Sequence, residues 1–140
     1  MSYLLDTNVV SELRKVRAGT GDSRVTAWSE SLIAEFTCIS VITVLEIEQG
    51  MLSMERRDPR QGAMLRAWLE EMVLPGFAGR ILPVDLAVVR KCAALHVPDP
   101  MDDRDSLIAA TALVHGLTLV TRNVRPFENT GVEIFNPWEA

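Results

Sequence analysis

The chain has 140 residues, of which 48% are hydrophobic and 24% charged, and its formal net charge is −5. We expect one domain over residues 1–140, with a core that needs no disulfide or structural zinc. Intrinsic disorder is excluded, because disordered chains combine low hydrophobicity with high net charge. The acidic balance argues against an architectural DNA-binding protein. With no apolar run near the ~20 residues of a membrane span and no signal-peptide start, we expect a cytoplasmic protein without a membrane partner.

The first half of the chain alternates between short apolar runs and amphipathic helical patterns. Two strands are predicted, at Tyr3–Leu5 and Thr37–Ser40. Three helices are predicted, at Asn8–Leu13, from an Asp22 or Ser23 cap through Ile33, and from the Ser40 cap through Gln49. Each helix begins at a residue whose side chain can accept a hydrogen bond from the free N–H groups of the first turn.

The second half continues the alternation of helix and strand. The helices are predicted from Asp58-Pro59 to Pro75-Gly76, from the Asp85 cap through Leu95, and at Ser106–His115 with Gly116 as C-cap. The strands are predicted at Ile81–Leu82, Leu117–Val120 and Val132–Phe135. Regular alternation indicates an α/β fold, in which a parallel sheet of four or five strands carries helices on both faces. In such sheets the working site lies beyond the carboxyl ends of the strands.

Three carboxylates are predicted to lie near the carboxyl ends of the strands. Asp6 directly follows the first strand, Glu46 lies six residues past Ser40, and Asp105 opens the apolar helix before the fourth strand. Each has an ordinary alternative interpretation. Asp6 and Asp105 are N-cap candidates, and Glu46 can lie on a solvated helix face, although Glu48 fits that face better.

Taken together, the three acidic residues predict a cation site. Carboxylates from three distant segments that meet at one sheet edge repel one another unless positive charge lies among them. Carboxylate oxygens are the ligands that Mg²⁺ and Mn²⁺ prefer. Such a site can activate water and bind a phosphodiester, which would also allow an acidic protein to act on nucleic acid.

Four segments of the chain resemble the motifs of PIN-domain ribonucleases. They are Leu4–Glu12, Ile42–Gly50, Asp105–Ala112 and Leu119–Phe127. Each motif alone is weak, but four in this order, over nearly the whole chain, form a specific signal. The order, spacing and length are similar to those of the VapC-type toxins of toxin–antitoxin modules, and particularly to the FitB-like branch.

The resemblance implies a PIN-like three-layer α/β/α fold and a metal-dependent endoribonuclease that acts as a toxin. It makes Asp6, Glu46 and Asp105 the ligands of Mg²⁺ or Mn²⁺. Thr7 and Thr121 would be supporting polar residues, with Thr121 in the catalytic set. Asn8 would lie behind them on the first helix.

The fourth motif departs from the family pattern. Its often acidic position is Asn123, which the resemblance also places in the catalytic set. The amide can coordinate through its carbonyl oxygen but brings no charge. A frequent aspartate before the phenylalanine is replaced by Pro126. Both differences put a second metal ion in doubt. Asp102 and Asp103 can compensate, or they are solvated loop carboxylates.

The resemblance also implies partners. The substrate would be tRNA or another structured RNA, and Arg14, Arg122 and Arg125 are candidates to steer its backbone. A small VapB-like antitoxin would bind the toxin, the toxin would be a homodimer, and DNA would be bound only through the antitoxin. Candidate antitoxin contacts are Met51, Leu52 and Met54 beside Arg56-Arg57, with ordinary helix packing as the alternative.

Other function classes fit less well. A phospho-receiver domain requires adjacent acidic residues after the first strand and a lysine after a late strand. A haloacid-type phosphatase requires an aspartate where Asn8 stands. The remaining alternative is a catalytically weak or inactive PIN-fold binding module, which the amide of Asn123 supports.

Overall fold

The computed structural model describes residues 2–140 and contains one five-stranded sheet. The strands are β1 (Tyr3–Leu5), β2 (Thr37–Ser40), β3 (Ile81–Leu82), β4 (Thr118–Val120) and β5 (Ile134–Phe135). Their order is β3-β2-β1-β4-β5, and every neighbouring pair is parallel. The predicted parallel α/β sheet is confirmed, with β1 at its centre.

Helices connect the strands, as parallel pairing requires. They are α1 (Thr7–Arg17), α2 (Ser23–Glu30), α3 (Val41–Arg57), α4 (Pro59–Trp68), α5 (Leu74–Gly76), α6 (Leu86–Leu95) and α7 (Asp103–His115). A π-helical turn at Leu69–Val73 joins α4 to α5, and short 3₁₀ turns precede β2, follow β4 and end the chain. Within residues 2–140, every helix is too short or too polar to span a bilayer.

Two apolar cores cover the opposite faces of the sheet. Successive strand residues point to opposite sides, so Leu5 joins one core and Leu4 the other. The Leu5 core includes Val9 and Val10 of α1, and the Leu4 core includes Ile108 of α7. This arrangement is the expected three-layer α/β/α architecture. The predicted central burial of the last helix is confirmed, because six residues of α7 are buried.

Two helices are longer than the sequence predicted. Helix α1 continues to Arg17 instead of ending at Leu13, and α3 runs through Gly50 to Arg57 instead of ending at Gln49. Helix α3 ends where Asp58 precedes Pro59, because the proline ring disfavours a helical backbone for the residue before it. Asp58 adopts an extended backbone and its side chain accepts a hydrogen bond from Gln61 N–H, which confirms the predicted start of α4.

The other differences are at element ends. Strands β4 and β5 begin at Thr118 and Ile134, later than predicted, and α2 ends at Glu30. The helix that begins at Pro59 contains the π-helical turn that periodicity did not reveal. This wider turn lies just before Pro75, which has no N–H to continue the regular ladder.

Helices α3 and α4 approach each other closely at Gly62. A Cβ atom at Gly62 would lie 2.5 Å from the Glu55 Cα atom. The same pair of helices is joined by Arg66, whose Nε and Nη2 atoms donate to the Glu55 carboxylate at 2.7 and 2.9 Å. Gly50, in the middle of α3, has no heavy atom within 4 Å of the corresponding position.

We therefore expect opposite effects from alanine at the two helical glycines. Gly62→Ala should lower the free energy of unfolding by about 1–3 kcal/mol, because the backbone of α3 must move away. Gly50→Ala, the matched control, should raise it by about 0.5–1 kcal/mol, since alanine favours the helix and has space. Urea denaturation measures both values. Equal effects at the two positions would show that α3 and α4 are not packed through Gly62.

Candidate active site

The candidate site lies at the carboxyl edge of the sheet, where β2, β1 and β4 stand side by side. Asp6 follows the central strand, α3 begins directly after Ser40 of β2, and Thr121 follows β4. Helix α7 runs to the start of β4, so its first turn returns Asp105 to the same edge. The topology thus gathers four of the predicted residues, namely Asp6, Glu46, Asp105 and Thr121.

Asp6 combines two roles that the sequence presented as alternatives. Its Oδ1 atom accepts a hydrogen bond from Thr7 N–H at 2.8 Å and so caps α1. Its Oδ2 atom accepts one from the Thr121 hydroxyl at 2.8 Å and one from Asn8 Nδ2 at 3.4 Å. Burial raises the pKa of Asp6, the Glu46 charge raises it further, and these hydrogen bonds partly offset the increase.

Asn8 and Thr121 form a brace around Asp6. Asn8 Nδ2 also lies 3.2 Å from the Thr121 hydroxyl oxygen, and Asn8 Oδ1 accepts from the backbone N–H of Arg122 at 3.1 Å. Thr121 is fully buried. The brace joins the start of α1 to the end of β4, and it holds the Asp6 side chain in one orientation.

Glu46 projects towards Asp6 from the second turn of α3. Its Oε1 atom accepts a hydrogen bond from the Thr7 hydroxyl at 2.7 Å, and the buried Thr43 hydroxyl lies 3.2 Å from that of Thr7. Glu48 is exposed, as predicted for the solvated face. Thr7 therefore links the first two acidic motifs directly.

The alternative interpretation of Asp105 as an N-cap is wrong. Helix α7 begins at Asp103, and its cap is Asp102, whose Oδ1 atom accepts from the N–H groups of Arg104 and Asp105 at 3.0 and 3.1 Å. Because Asp102 performs the capping, the Asp105 carboxylate is free to face the site. Partial burial and the charges of Asp102, Asp6 and Glu46 raise the pKa of Asp105 to about 6.

A polar cluster around the buried Ser106 holds the first turn of α7 against α6. The Ser106 hydroxyl, which is fully buried, lies 2.9 Å from His96 Nε2 and donates to the Asp103 carbonyl group at 2.9 Å. His96 Nδ1 accepts from Met101 N–H at 3.3 Å, and Cys92 Sγ contacts the Ser106 hydroxyl at 3.3 Å. Ser106 is adjacent to Asp105, so this cluster determines where Asp105 lies. The available sequence signal for this cluster was a histidine near a helix end.

Asn123 and the acidic residues before Asp105 lie outside this arrangement of side chains. The Asn123 side chain is exposed, and its backbone N–H donates to the Thr121 hydroxyl at 3.1 Å. Asp102 is engaged as a cap, and Asp103, with its side chain 92% exposed, lies 3.7 Å from His96. Neither aspartate replaces the missing acidic group of the fourth motif in this geometry.

Sequence reasoning missed Arg104 as a site residue. Its Nη1 atom lies 3.8 Å from Glu46 Oε2, and its Nη2 atom donates to Gln49 Oε1 at 2.7 Å. The available signal was its position next to Asp105 in the first turn of a helix. That signal is weak, because a basic residue beside an acidic one is common on protein surfaces.

The residues at this edge suit a hard divalent cation. Burial raises the pKa of Asp105, and the nearby negative charges of Asp102, Asp6 and Glu46 raise it further, so a cation among these carboxylates would relieve their repulsion. Carboxylate oxygens match the preference of Mg²⁺ and Mn²⁺. In the described part of the chain, no three His, Cys, Asp or Glu side chains are close enough together to surround one ion. The chemistry of the donors therefore fits the cation, while the side chains stand apart in this conformation.

A groove lies beside the site between α1, α3 and α4. It has a volume of about 380 Å³ and extends from Thr7 to Met54 and Arg57. Met51 lines it and is buried, whereas Leu52 is exposed and does not line it. Of the residues proposed from sequence as antitoxin contacts, Met51, Met54 and Arg57 are thus placed along one groove.

Comparison with known proteins assigns the family. The PIN domain model matches residues 3–133. The chain belongs to the PIN domain family. It is 40% identical over 141 residues to the VapC ribonuclease Y4jK of Sinorhizobium fredii, with 97% of each chain covered. It is also 40% identical over 141 residues to Toxin FitB of Neisseria gonorrhoeae, covering 96% of this chain and 97% of that protein.

A solved structure gives the same result for the fold. The crystal structure of FitAcB from Neisseria gonorrhoeae matches this PIN domain with a TM-score of 0.88 at 38% identity, and the match covers 99% of both chains. The resemblance inferred from the four motifs is confirmed.

In this PIN domain the acidic cluster should reduce stability when no cation is present. Since the pKa of Asp6 is raised, its ionised form destabilises the fold at neutral pH. Asp6→Asn should therefore raise the melting temperature in EDTA at pH 7, because asparagine retains the cap through its amide oxygen and removes the buried charge. We expect the removal of this charge to outweigh the hydrogen bonds from Thr121 and Asn8, which an amide nitrogen does not accept.

The control for this prediction is Asp22→Asn, the same change at the cap of α2, where Asp22 accepts from the N–H groups of Arg24 and Val25. Differential scanning calorimetry in EDTA should show a higher melting temperature for the Asp6 variant only. A lower melting temperature for Asp6→Asn would contradict the prediction, since the hydrogen bonds accepted by Asp6 would then outweigh the cost of its buried charge.

Proposed function

We propose that this PIN domain, formed by the whole chain, is a metal-dependent endoribonuclease and the toxin of a VapBC-type toxin–antitoxin module. The observation that carries the proposal is the convergence of Asp6, Glu46 and Asp105, from three distant segments, at the carboxyl edge of the sheet. The activity class is supported by relatives of similar length that are named VapC ribonuclease and Toxin FitB.

Asp6, Glu46 and Asp105 would hold the ion, Mg²⁺ or Mn²⁺. When bound, such a cation neutralises the carboxylates, attracts the phosphodiester group of RNA and makes water easier to deprotonate. The remaining tasks belong to the polypeptide. It must hold the carboxylates in fixed orientations, bind the RNA backbone and keep the acidic edge accessible.

The hydrogen bonds of the site perform the first of these tasks. Thr121 and Asn8 orient Asp6, and the Thr7 hydroxyl orients Glu46. Partners that fix ligand side chains in this way commonly contribute strongly to metal affinity. We assign Thr121 as a positioning residue, and we assign the exposed Asn123 amide to contact with RNA at the rim of the site.

Two exposed arginines next to the site are suited to the RNA backbone. Arg122 follows Thr121 directly, and its guanidinium lies over the Trp138 ring, 5.3 Å from the ring centroid. Arg125 is exposed three residues later. Arg14 lies over Trp68 in a separate groove between α1 and the π-helical turn, and it is less suited to that role. The substrate would be tRNA or another structured RNA.

The groove beside Thr7 is the proposed contact for a small VapB-like antitoxin. It joins the acidic edge to the basic side chain of Arg57 and is lined by Met51 and Met54. A peptide that occupied it would reach the site and block access of RNA. As parts of the same proposal, the toxin forms a homodimer and binds DNA only through the antitoxin.

Cleavage of a total tRNA pool by antitoxin-free protein tests the activity. Wild-type protein should produce discrete fragments with Mg²⁺ or Mn²⁺ and none with EDTA. Glu46→Gln should lower the rate by at least about a hundredfold, because it removes the charge of a proposed ligand itself rather than that of an outer partner. The same change at the exposed Glu48 of the same helix is the control and should leave the rate unchanged. Equal rates for both variants would remove Glu46 from the active site.

A second variant tests how Asp6 is held. Thr121→Val keeps the shape of the side chain but removes the hydroxyl that donates to Asp6 Oδ2. Cleavage should fall about 10–100-fold, and more Mg²⁺ should be needed for half-maximal rate.

Thr118→Val, at the start of the strand that Thr121 follows and also buried, serves as control. It should have the wild-type requirement for Mg²⁺, measured by titrating the ion in the same cleavage assay. A matching change in both variants would assign the effect to general destabilisation of β4.

The alternative function is a PIN-fold binding module without catalysis. It is favoured by the uncharged Asn123 and by the separation of the three carboxylates in the described residues. Well-folded protein that leaves tRNA intact with either metal, and shows no heat of Mg²⁺ binding by calorimetry, would establish this alternative.

A further inference from the structure

Arg104 brings positive charge directly to the acidic cluster. It lies in the first turn of α7, one residue before Asp105, and its guanidinium approaches Glu46. Within residues 2–140, no other lysine, arginine or histidine lies within 4 Å of the Asp6, Glu46 or Asp105 carboxylates. These carboxylates repel a polyanionic substrate, so a cation at this position reduces the repulsion.

The guanidinium is held by a neutral anchor. Arg104 Nη2 donates to Gln49 Oε1 at 2.7 Å. Gln49 lies three residues after Glu46 on α3, so the two side chains share one face of that helix. Because the amide oxygen carries no formal charge, it fixes the guanidinium without neutralising it. Arginine has five N–H donors, and this anchor uses one of them.

The ion pair with Glu46 does not occupy the remaining donors. Its separation of 3.8 Å exceeds a hydrogen-bond distance, and Glu46 Oε1 already accepts from Thr7. The Arg104 side chain is 43% exposed. Exposed pairs of this kind contribute little to stability. A stabilising ion pair therefore does not account for the position of Arg104, and most of its N–H groups remain available at the site.

We propose that Arg104, held in place by Gln49, binds a phosphate group of the substrate RNA next to the three carboxylates. The planar guanidinium fork matches two oxygens of a phosphodiester. This inference rests on the proposed ribonuclease function, which supplies the substrate class. It assigns to Arg104 and Gln49 the task of holding the RNA backbone against the repulsion of the acidic edge.

The test compares RNA binding with RNA cleavage. Binding of a short, mixed-sequence, fluorescein-labelled RNA is measured by anisotropy in EDTA over a range of KCl concentrations. Cleavage of total tRNA with Mn²⁺ gives the apparent KM and kcat. The variants are Arg104→Gln, Arg104→Lys and Gln49→Leu, with circular dichroism to confirm folding. Arg60→Gln is the control, because this exposed arginine lies in the first turn of α4, beyond the end of α3. The end of α3 is about 16 Å along the helix axis from Glu46.

Arg104→Gln should weaken RNA binding and raise the apparent KM about tenfold, as expected for loss of a charge-assisted hydrogen bond. The slope of log affinity against log salt should decrease in magnitude by about 0.7, one phosphate contact on a single strand. Arg104→Lys should restore part of the affinity, since it returns the charge without the fork. Gln49→Leu should weaken binding less than Arg104→Gln does.

If Arg104→Gln kept the wild-type RNA affinity and salt slope, the inference would be overturned, even if the melting temperature of the variant changed. Arg104 would then only form the ion pair with Glu46 and would not contact RNA. An equal loss in Arg60→Gln would also overturn it, since the effect would be one of net charge. If wild-type protein cleaved no RNA while Arg104→Gln still lost RNA affinity, the ribonuclease proposal would fail and the phosphate site would remain.

Discussion

The arrangement of the site depends on one buried carboxylate at the end of the central strand. Asp6 is 7% exposed, and an ionised group in that position is costly unless donors or a cation compensate for lost hydration. The compensation comes from α1 and from the residue that follows β4, through Thr7, Asn8 and Thr121. These hydrogen bonds to Asp6 therefore join the start of α1 to the segment that follows β4 at the carboxyl edge of the sheet.

Helix caps solve a related problem at the same edge. In a parallel sheet each strand leads into a helix, and the free N–H groups of the first turn require acceptors. Asp6 caps α1, Ser40 caps α3 and Asp102 caps α7. Because Asp102 performs this task for α7, Asp105 keeps its carboxylate for the site. Helix capping therefore explains why acidic and hydroxyl residues lie together at this edge. It also explains why the Asp105 carboxylate is not used as a cap.

Charge then determines what the edge can bind. The protein is acidic overall, and at its candidate site burial, together with neighbouring negative charge, raises the pKa of Asp6 and Asp105. Such a surface repels RNA until cations intervene. We propose that a divalent ion between the carboxylates offsets this repulsion. We also propose that Arg104 supplies positive charge from the chain itself at the rim of the site. Net charge excluded a simple basic nucleic-acid binder, but it did not exclude a nucleic-acid enzyme.

The sequence by itself determined the class of the fold and the positions of Asp6, Glu46 and Asp105 near one edge, because alternating short strands and helices impose a parallel sheet. Only the tertiary structure decided that Asp6 is both cap and site residue, that Asp102 frees Asp105, and that Gln49 holds Arg104. These outcomes depend on which side chains from α1, α3 and α7 meet across space, and helical periodicity contains no information about contacts between distant segments. The extension of α3 to Arg57 has the same cause, since packing of α3 against α4 outweighs the low helix propensity of Gly50.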